Sequence, residues 1–319
     1  MRLGRTPLQV TRLGFGTAPL GGLFQPLADD EAHRVVEAAW SAGIRFFDTA
    51  PQYGNGLAEQ RLGAVLRGKP RDQYVLATKV GKLLRAGGPP QSDTFPDAPP
   101  LNPVFDFSYD GVMRSVEESV SRLGIDRIDI LHIHDPDDHF DEALTGAFRA
   151  LDRLRSEGTI KAVGAGMNQA EMLARFAREA DFDCFLLAGR YTLLDQVGLK
   201  ELLPLCVERG IAIIAGGVFN SGILADPRPG THYNYQTAPA ELVERARRIN
   251  AVCERNGVAL KAVAIQFPLG HPAVQTVLTG CRAVYEVTEN VAAFQAPIPA
   301  SVWEDLKSEG LLAAKAPVP

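Results

Sequence analysis

Four polar side chains at the ends of apolar runs have the types and spacing for proton chemistry. The stretch "RFFDTAPQYG" (45–54) closes an aromatic run on Asp48, and Tyr53 follows five residues later on a segment broken by Pro51 and Gly54. Lys79 lies near the end of "YVLATKV" (74–80), and His134 ends "IDILHIH" (128–134). A tyrosine titrates at about pH 10 in isolation and transfers protons poorly at neutral pH. A nearby ammonium favours the phenolate. A carboxylate beside that ammonium keeps it charged and fixed, and an imidazole can orient a substrate oxygen. Such a set suits proton transfer coupled to hydride transfer. Singly, each residue has a plainer role: an aspartate after a strand is a turn former, and a lone tyrosine is a surface aromatic. Lys79 is harder to dismiss, because a charge closing an apolar strand needs a partner. Taken together, the four favour catalysis.

The elements that must position them alternate along the chain. "DDEAHRVVEAAWSAG" (29–43) has acids in its first turn and a glycine at its end, and Ala32, Val35, Val36, Ala39 and Trp40 form one apolar face. Strands are expected at 13–17, 44–49, 74–80, 128–134, 160–166, 182–189, 211–217 and 274–280. Helices are expected at 29–43, 58–67, 109–123, 141–157, 169–179, 195–209, 239–256 and 258–267, with short helices closing the chain. Eight βα units imply a parallel sheet covered by helices. In this length they favour one closed (β/α)8, or TIM, barrel spanning 1–319. The open-sheet alternative lacks its fingerprint, since "GFGTAPLGG" does not fit GxGxxG. Chemistry in such a barrel sits at the carboxyl ends of the strands, where Asp48, Lys79 and His134 fall on three neighbours. Residues 81–108 lack periodicity and read as a functional or mobile loop; "DPRPGTHYNYQTAP" (226–239) reads as a lid.

Bulk composition narrows the classes. The 319 residues are 46 % hydrophobic and 22 % charged, ordinary for a globular protein, and the net charge of −5 argues against nucleic-acid or anionic-membrane partners. "MRLGRTPLQVTRLGFG" has no continuous apolar core of a signal peptide, and no run reaches membrane-span length. Cys184, Cys206, Cys253 and Cys281 are dispersed, which points to reduced, buried thiols in a cytoplasmic protein. Every helix face has an intramolecular partner available, so the sequence names no oligomeric state. The expected partner is a small molecule.

The segments "GFGT" (14–17), "FFDTAPQYGNGLAEQRLG" (46–63), "ATKVG" (77–81), "IDILHIHDPD" (128–137) and "EN" (289–290) resemble the signature segments of the aldo-keto reductases across essentially the whole chain. Within that family, "FDFSYDGVMRSVEESVSRLGIDRIDILHIHDPDDH", "GMNQAEML", "LLAGRYTLLDQ" and "GGVFNSGIL" resemble aldose 1-dehydrogenases of the L-fucose or D-threo-aldose type, with pyridoxal 4-dehydrogenase-like enzymes nearby. The resemblance implies a catalytic tetrad of Asp48, Tyr53, Lys79 and His134. It also implies a nicotinamide cofactor held on the barrel: Gly16 and Thr17 after the first strand, Met167 and Asn168 at the carboxamide end, and the backbone of Phe219, Asn220, Ser221 and Gly222 over the pyrophosphate. Gly280, Cys281, Arg282, Glu286, Glu289 and Asn290 would surround the adenosine end. Two positions depart from the family pattern, with Gly216 and Gly217 where many relatives stack an aromatic ring, and Ala188 where many carry glutamine. At a third, Glu286 stands where NADP-preferring relatives often carry arginine. A carboxylate repels a phosphate and accepts hydrogen bonds from ribose hydroxyls, so NAD is expected to be preferred, with Arg282 near enough to admit NADP.

The expected reaction is oxidation of an aldose at its anomeric hydroxyl, with pyridoxal or simple aldehydes as alternatives. Phe24, Gln52, Asn55 and Asp135 are candidate substrate contacts. Two rivals come from other classes. A metal-dependent hydrolase would use His132, His134 and Asp48, but His33, His139, His232 and His271 do not complete a familiar ligand set. His132 reads instead as a hydrogen-bonded interior residue. A non-catalytic cofactor-binding sensor is disfavoured by the complete set of four.

Overall fold

The computed structural model describes residues 1–87, 94–234 and 236–319. Residues 88–93 of the expected 81–108 loop and residue 235 of the expected lid lie outside the described residues. Twelve strands occur among the described residues: β1 (Leu13–Gly16), β2 (Phe46–Asp48), β3 (Val75–Val80), β4 (Lys82–Ala86), β5 (Leu101–Phe105), β6 (Ile130–His134), β7 (Ala162–Met167), β8 (Cys184–Ala188), β9 (Ala212–Gly216), β10 (His232–Tyr233), β11 (Gln236–Thr237) and β12 (Val274–Gly280). Eight of them close a parallel barrel in the order β1-β12-β9-β8-β7-β6-β3-β2. The eight expected strands are these eight, with every end within two residues of expectation.

Strand alternation places the candidate residues. Phe46, Val75, Ala77 and Ile130 belong to the cluster inside the barrel, while Phe47, Leu76, Val80, Leu131 and Ile133 belong to the layer beneath the helices. With a period of two, Asp48, Lys79, His132 and His134 share the inward face. The registers Asp48↔Ala77 and Lys79↔His132 bring them to the upper layer. Leu3, Leu8 and Val10 join the inner cluster, so the N-terminal segment packs against the barrel interior.

Three elements differ from expectation. Residues 81–108 are not loop throughout, because β4 pairs antiparallel with β5, Lys82 opposite Phe105. Pro103 is tolerated in this two-stranded ladder, where only one edge of each strand is paired. In the expected lid, β10 and β11 form a two-residue ladder. The helix expected over 195–209 breaks into a short turn at Val197–Leu199 and a helix at Leu202–Arg209. Pro204 causes this, being compatible only with a first helical turn. Among the described residues no helix is long and apolar enough to cross a membrane.

The Tyr53 loop is held by backbone packing. Gly54 has φ +60°, and a Cβ there would lie 2.3 Å from the carbonyl oxygen of Gly21. Behind it, the buried Glu59 accepts from Thr78 Oγ1 at 2.7 Å and from Arg122 Nε at 2.6 Å. Arg61 donates to the carbonyls of Leu20 and Leu27 and to Asp29. The segment "AEQRLG" thus clamps the helix after Tyr53 to β3, to the helix at Tyr109–Leu123 and to the connection after β1. Gly54→Ala is expected to destabilise the fold by about 1–3 kcal/mol, combining a left-handed backbone with a backbone clash. Urea denaturation checks this; an unchanged midpoint contradicts the close packing.

Candidate active site

Lys79 and Asp48 form a buried ion pair. Lys79 Nζ donates to Asp48 Oδ1 at 2.6 Å and to the carbonyl of Thr49 at 2.8 Å, and the two side chains are 1 % and 3 % exposed. Burial raises the Asp48 carboxyl above its ordinary value, and the Lys79 ammonium opposes the shift. The same Nζ lies 4.8 Å from the centre of the Tyr53 ring. Tyr53 meets the imidazole of His134 edge-on, with ring centres 5.8 Å apart at 89°. An acid, a base, a phenol and an imidazole therefore converge at one corner of the barrel mouth.

His134 is held neutral. Burial, then the charges of Lys82 and Lys79 and the adjacent His132, push it well below 6.5. Its Nε2 lies 3.4 Å from Asp135 Oδ2, and its buried Nδ1 has no partner among the described residues. A neutral imidazole can donate to or accept from a substrate oxygen without adding a competing charge beside Lys79. His132 lies deeper and is fully buried, but among the described residues neither ring nitrogen has a partner, so the hydrogen bond expected for it is not found. Space for the ring comes from Gly164, where a Cβ would lie 2.2 Å from His132 Nδ1. Among the described residues no group of three or more histidine, cysteine or acidic side chains is placed to hold a metal ion.

Two contiguous cavities open from this corner, sharing Tyr53, Asn168, Leu186 and Ala188. The first, of about 340 Å³, is lined by Gly16, Thr17, Asn168, Phe219, Asn220, Ser221, Gly222 and Gly280, with Asp48 at its inner end. Gly189, Gly216 and Gly217 also line it, without side chains that would fill it. Thr17 Oγ1 and Asn220 Oδ1 are buried without partners among the described residues, so polar groups remain for a polar ligand, and a nicotinamide dinucleotide fits this lining. The second cavity, of about 560 Å³, is lined by Gln52, Lys79, Lys82, Phe105, His134, Asp135, Asp137, Met167 and Gln169.

Several expected site residues do not line either cavity. Asn55 is buried and donates to the carbonyls of Pro99 and Leu101, which makes it a pin for the β5 approach instead of a cavity contact. Phe24 stacks on His232, ring centres 5.2 Å apart, at the rim. Cys281 is buried with its thiol pushed up to about 12 by burial, and it receives a hydrogen bond from Asn290 at 3.1 Å. Glu286 accepts from the backbone N–H of Arg282 at 2.7 Å, Arg282 reaches the carbonyl of Pro26 at 3.0 Å, and Glu289 pairs with Lys261 at 2.9 Å. The N–H groups of Asn220 and Gly222 are spent on Gly217 and Phe219, because the turn bonds internally. That narrows the expected backbone cradle. Sequence reasoning missed Lys82, Arg190 and Lys261. Arg190 donates to the carbonyl of Asn168 at 2.9 Å and to Asn234 Oδ1 at 3.2 Å, tying the β10 hairpin to the cleft. The "GKL", "GRY" and "LKA" contexts carried no signal for these contacts, which arise from long-range packing.

The aldo/keto reductase family model matches residues 12–309. The chain belongs to the aldo-keto reductase family. It is an oxidoreductase, and members of the family use nicotinamide cofactors. It is 48 % identical to a pyridoxal 4-dehydrogenase from Microbacterium luteolum, covering 97 % of each chain. It is 45 % identical to a D-threo-aldose 1-dehydrogenase from a Pseudomonas species, covering 96 % of this chain and 95 % of that one. Among solved structures, the holo form of aldo-keto reductase AKR11C1 from Bacillus halodurans superposes with a TM-score of 0.78 at 26 % identity, covering 100 % of this chain and 97 % of that one.

The two buried histidines give the reductase a pH-dependent stability. An unfolded imidazole binds a proton below about pH 6.5, whereas His132 is pushed down to about 3 by burial and Lys79, and His134 is also lowered. The unfolded state then binds more protons, so stability falls as pH drops below 6.5. His132 alone accounts for about 2 kcal/mol of this loss between pH 7 and pH 5, at roughly 1.4 kcal/mol per unit, and His134 acts in the same direction. Urea midpoints at the two pH values should differ, and His132→Leu should flatten the slope. Equal midpoints for the unmodified protein contradict the burial.

Proposed function

We propose that the enzyme oxidises a cyclic hemiacetal, the anomeric hydroxyl of an aldopyranose, to the lactone with NAD as acceptor. The observation that carries this reading is the convergence of Lys79 and His134 on Tyr53, which lines both cavities. Tyr53, as phenolate, takes the proton of the anomeric hydroxyl. Lys79 favours the phenolate from beneath the ring, and Asp48 keeps that ammonium charged and immobile. Neutral His134 orders the C1 oxygen. When bound, the nicotinamide supplies the hydride acceptor for C1, completing a two-electron oxidation; Thr17, Asn168, Asn220 and Gly280 would hold it. Gln52, Lys82, Asp135, Asp137 and Gln169 give the second cavity donors and acceptors that suit a polyhydroxylated substrate.

A second substrate shares this chemistry. Pyridoxal carries an aldehyde beside a hydroxymethyl group and closes to a hemiacetal, and the 48 % identity to a pyridoxal 4-dehydrogenase favours it. The preference for NAD is supported by Glu286, whose carboxylate sits at the helix start beside the Arg282 backbone, and by the Arg282 guanidinium, which is engaged at Pro26.

A panel of aldoses and pyridoxal with NAD and NADP, followed by absorbance of the reduced cofactor, tests the reading. Lactone formation with a lower KM for NAD is expected. Tyr53→Phe should retain NAD binding while kcat falls by about 10²–10⁴ or more. Unchanged kcat in that variant removes the assigned role of Tyr53, and a clear NADP preference removes the role of Glu286.

A further inference from the structure

Lys82 opens β4 directly after the Lys79 strand, and its chain is 7 % exposed. Its Nζ donates to Gln52 Oε1 at 2.7 Å and to Asp135 Oδ2 at 2.8 Å. Asp135 Oδ2 is in turn 3.4 Å from His134 Nε2. The Phe105 ring, 5.5 Å from Nζ, covers the ammonium from the paired strand. Asp135 is held at φ +42°, with its N–H on the carbonyl of Gly166 at 3.0 Å, so its carboxylate is fixed next to His134. Lys82, Gln52, Asp135 and His134 all line the second cavity.

The ammonium has three N–H donors and spends two on Gln52 and Asp135. It therefore presents a fixed donor alongside a fixed carboxylate acceptor, one neighbour away from the imidazole assigned to the reacting oxygen. A hydroxyl matches such a pair because it accepts and donates at once, whereas a ring oxygen only accepts. On a hemiacetal bound with its reacting oxygen at His134, a hydroxyl on the adjacent atom lies about one hydrogen-bond length away. An aldopyranose offers its 2-hydroxyl there, and pyridoxal offers its ring hydroxyl at similar reach from one atom further along, on the ring carbon next to the one that bears the reacting carbon.

We propose that the Lys82–Asp135 pair is the specificity device of this site, selecting hemiacetals that carry a second hydroxyl within hydrogen-bond reach of the reacting oxygen. This inference rests on the hemiacetal oxidation proposed above. A substrate lacking that hydroxyl leaves the third donor of the buried Lys82 ammonium unmatched, the situation in which sites discriminate strongly, whereas the partly exposed Asp135 carboxylate is open to water.

The test compares kcat/KM for matched pairs with NAD: an aldopyranose against its 2-deoxy form, and pyridoxal against its 3-deoxy form. The two arms tell a sugar from a pyridine substrate. The unmodified enzyme is expected to prefer the hydroxylated member by at least about 10-fold. In Lys82→Met that preference should fall at least 10-fold or to about one, and Lys82→Arg should restore most of it. Asp135→Asn, which keeps a residue that tolerates left-handed backbone, should also lower the preference and serves if Lys82→Met does not fold. Intrinsic reactivity differences within a pair cancel between variants. A merely structural lysine would lower both members equally, and an unchanged preference in Lys82→Met overturns the proposal. Equal use of both members by the unmodified enzyme overturns it too, while leaving hemiacetal oxidation standing. Absence of turnover on every hemiacetal overturns both.

Discussion

The site depends on one buried ion pair. Lys79 and Asp48 lie almost wholly out of solvent at the end of adjacent strands, 2.6 Å apart, with the Thr49 carbonyl as a further acceptor. Two charges are desolvated there, and close, rigid geometry is needed to offset that cost, Asp48 Oδ2 being buried with no partner among the described residues; removing one partner of such a pair costs about 3–5 kcal/mol. A closed parallel barrel meets this demand. Its strands fix both Cα positions, alternation turns both side chains inward, and the inner cluster below excludes water. A flexible surface pair would be screened and worth little. Rigid burial lets the ammonium act at a set distance on the phenol above it.

The loops carry the variable part. Tyr53 is not on a strand, so its place relative to Lys79 is fixed by the Gly21–Gly54 approach and by the Glu59 and Arg61 clamps. The β4–β5 pair brings Lys82 and Phe105 to the second cavity, and the β10 hairpin, tied through Arg190, borders the first. The ion pair lies at the barrel mouth, and the hairpins border the two cavities that open from it.

The barrel strands were legible because each is a short apolar run followed by a helix with an apolar face. Asp48, Lys79 and His134 were legible for a related reason: each is a polar residue at the end of such a run, where burial demands a purpose. The β4–β5 ladder was not legible. "KLLRA" and "LNPVF" alternate weakly, one contains proline, and their pairing spans residues whose composition reads as loop. Asn55 carried the polarity of a substrate contact, yet its amide serves backbone carbonyls. Glu286, Glu289 and Asn290 were read from motif position, and packing engages each of them within the fold. A motif names a neighbourhood; only long-range contacts decide which way a side chain in it turns.

The central claim is that the Lys79 ammonium, held by Asp48, favours the phenolate of Tyr53. Its most direct measurement is the pH dependence of kcat/KM for hemiacetal oxidation in the unmodified enzyme and in the double variant Lys79→Met/Asp48→Asn, which removes both charges and leaves neither stranded in the core. The account predicts that the ascending limb moves to higher pH in the double variant. Superimposable limbs in the two proteins would contradict it.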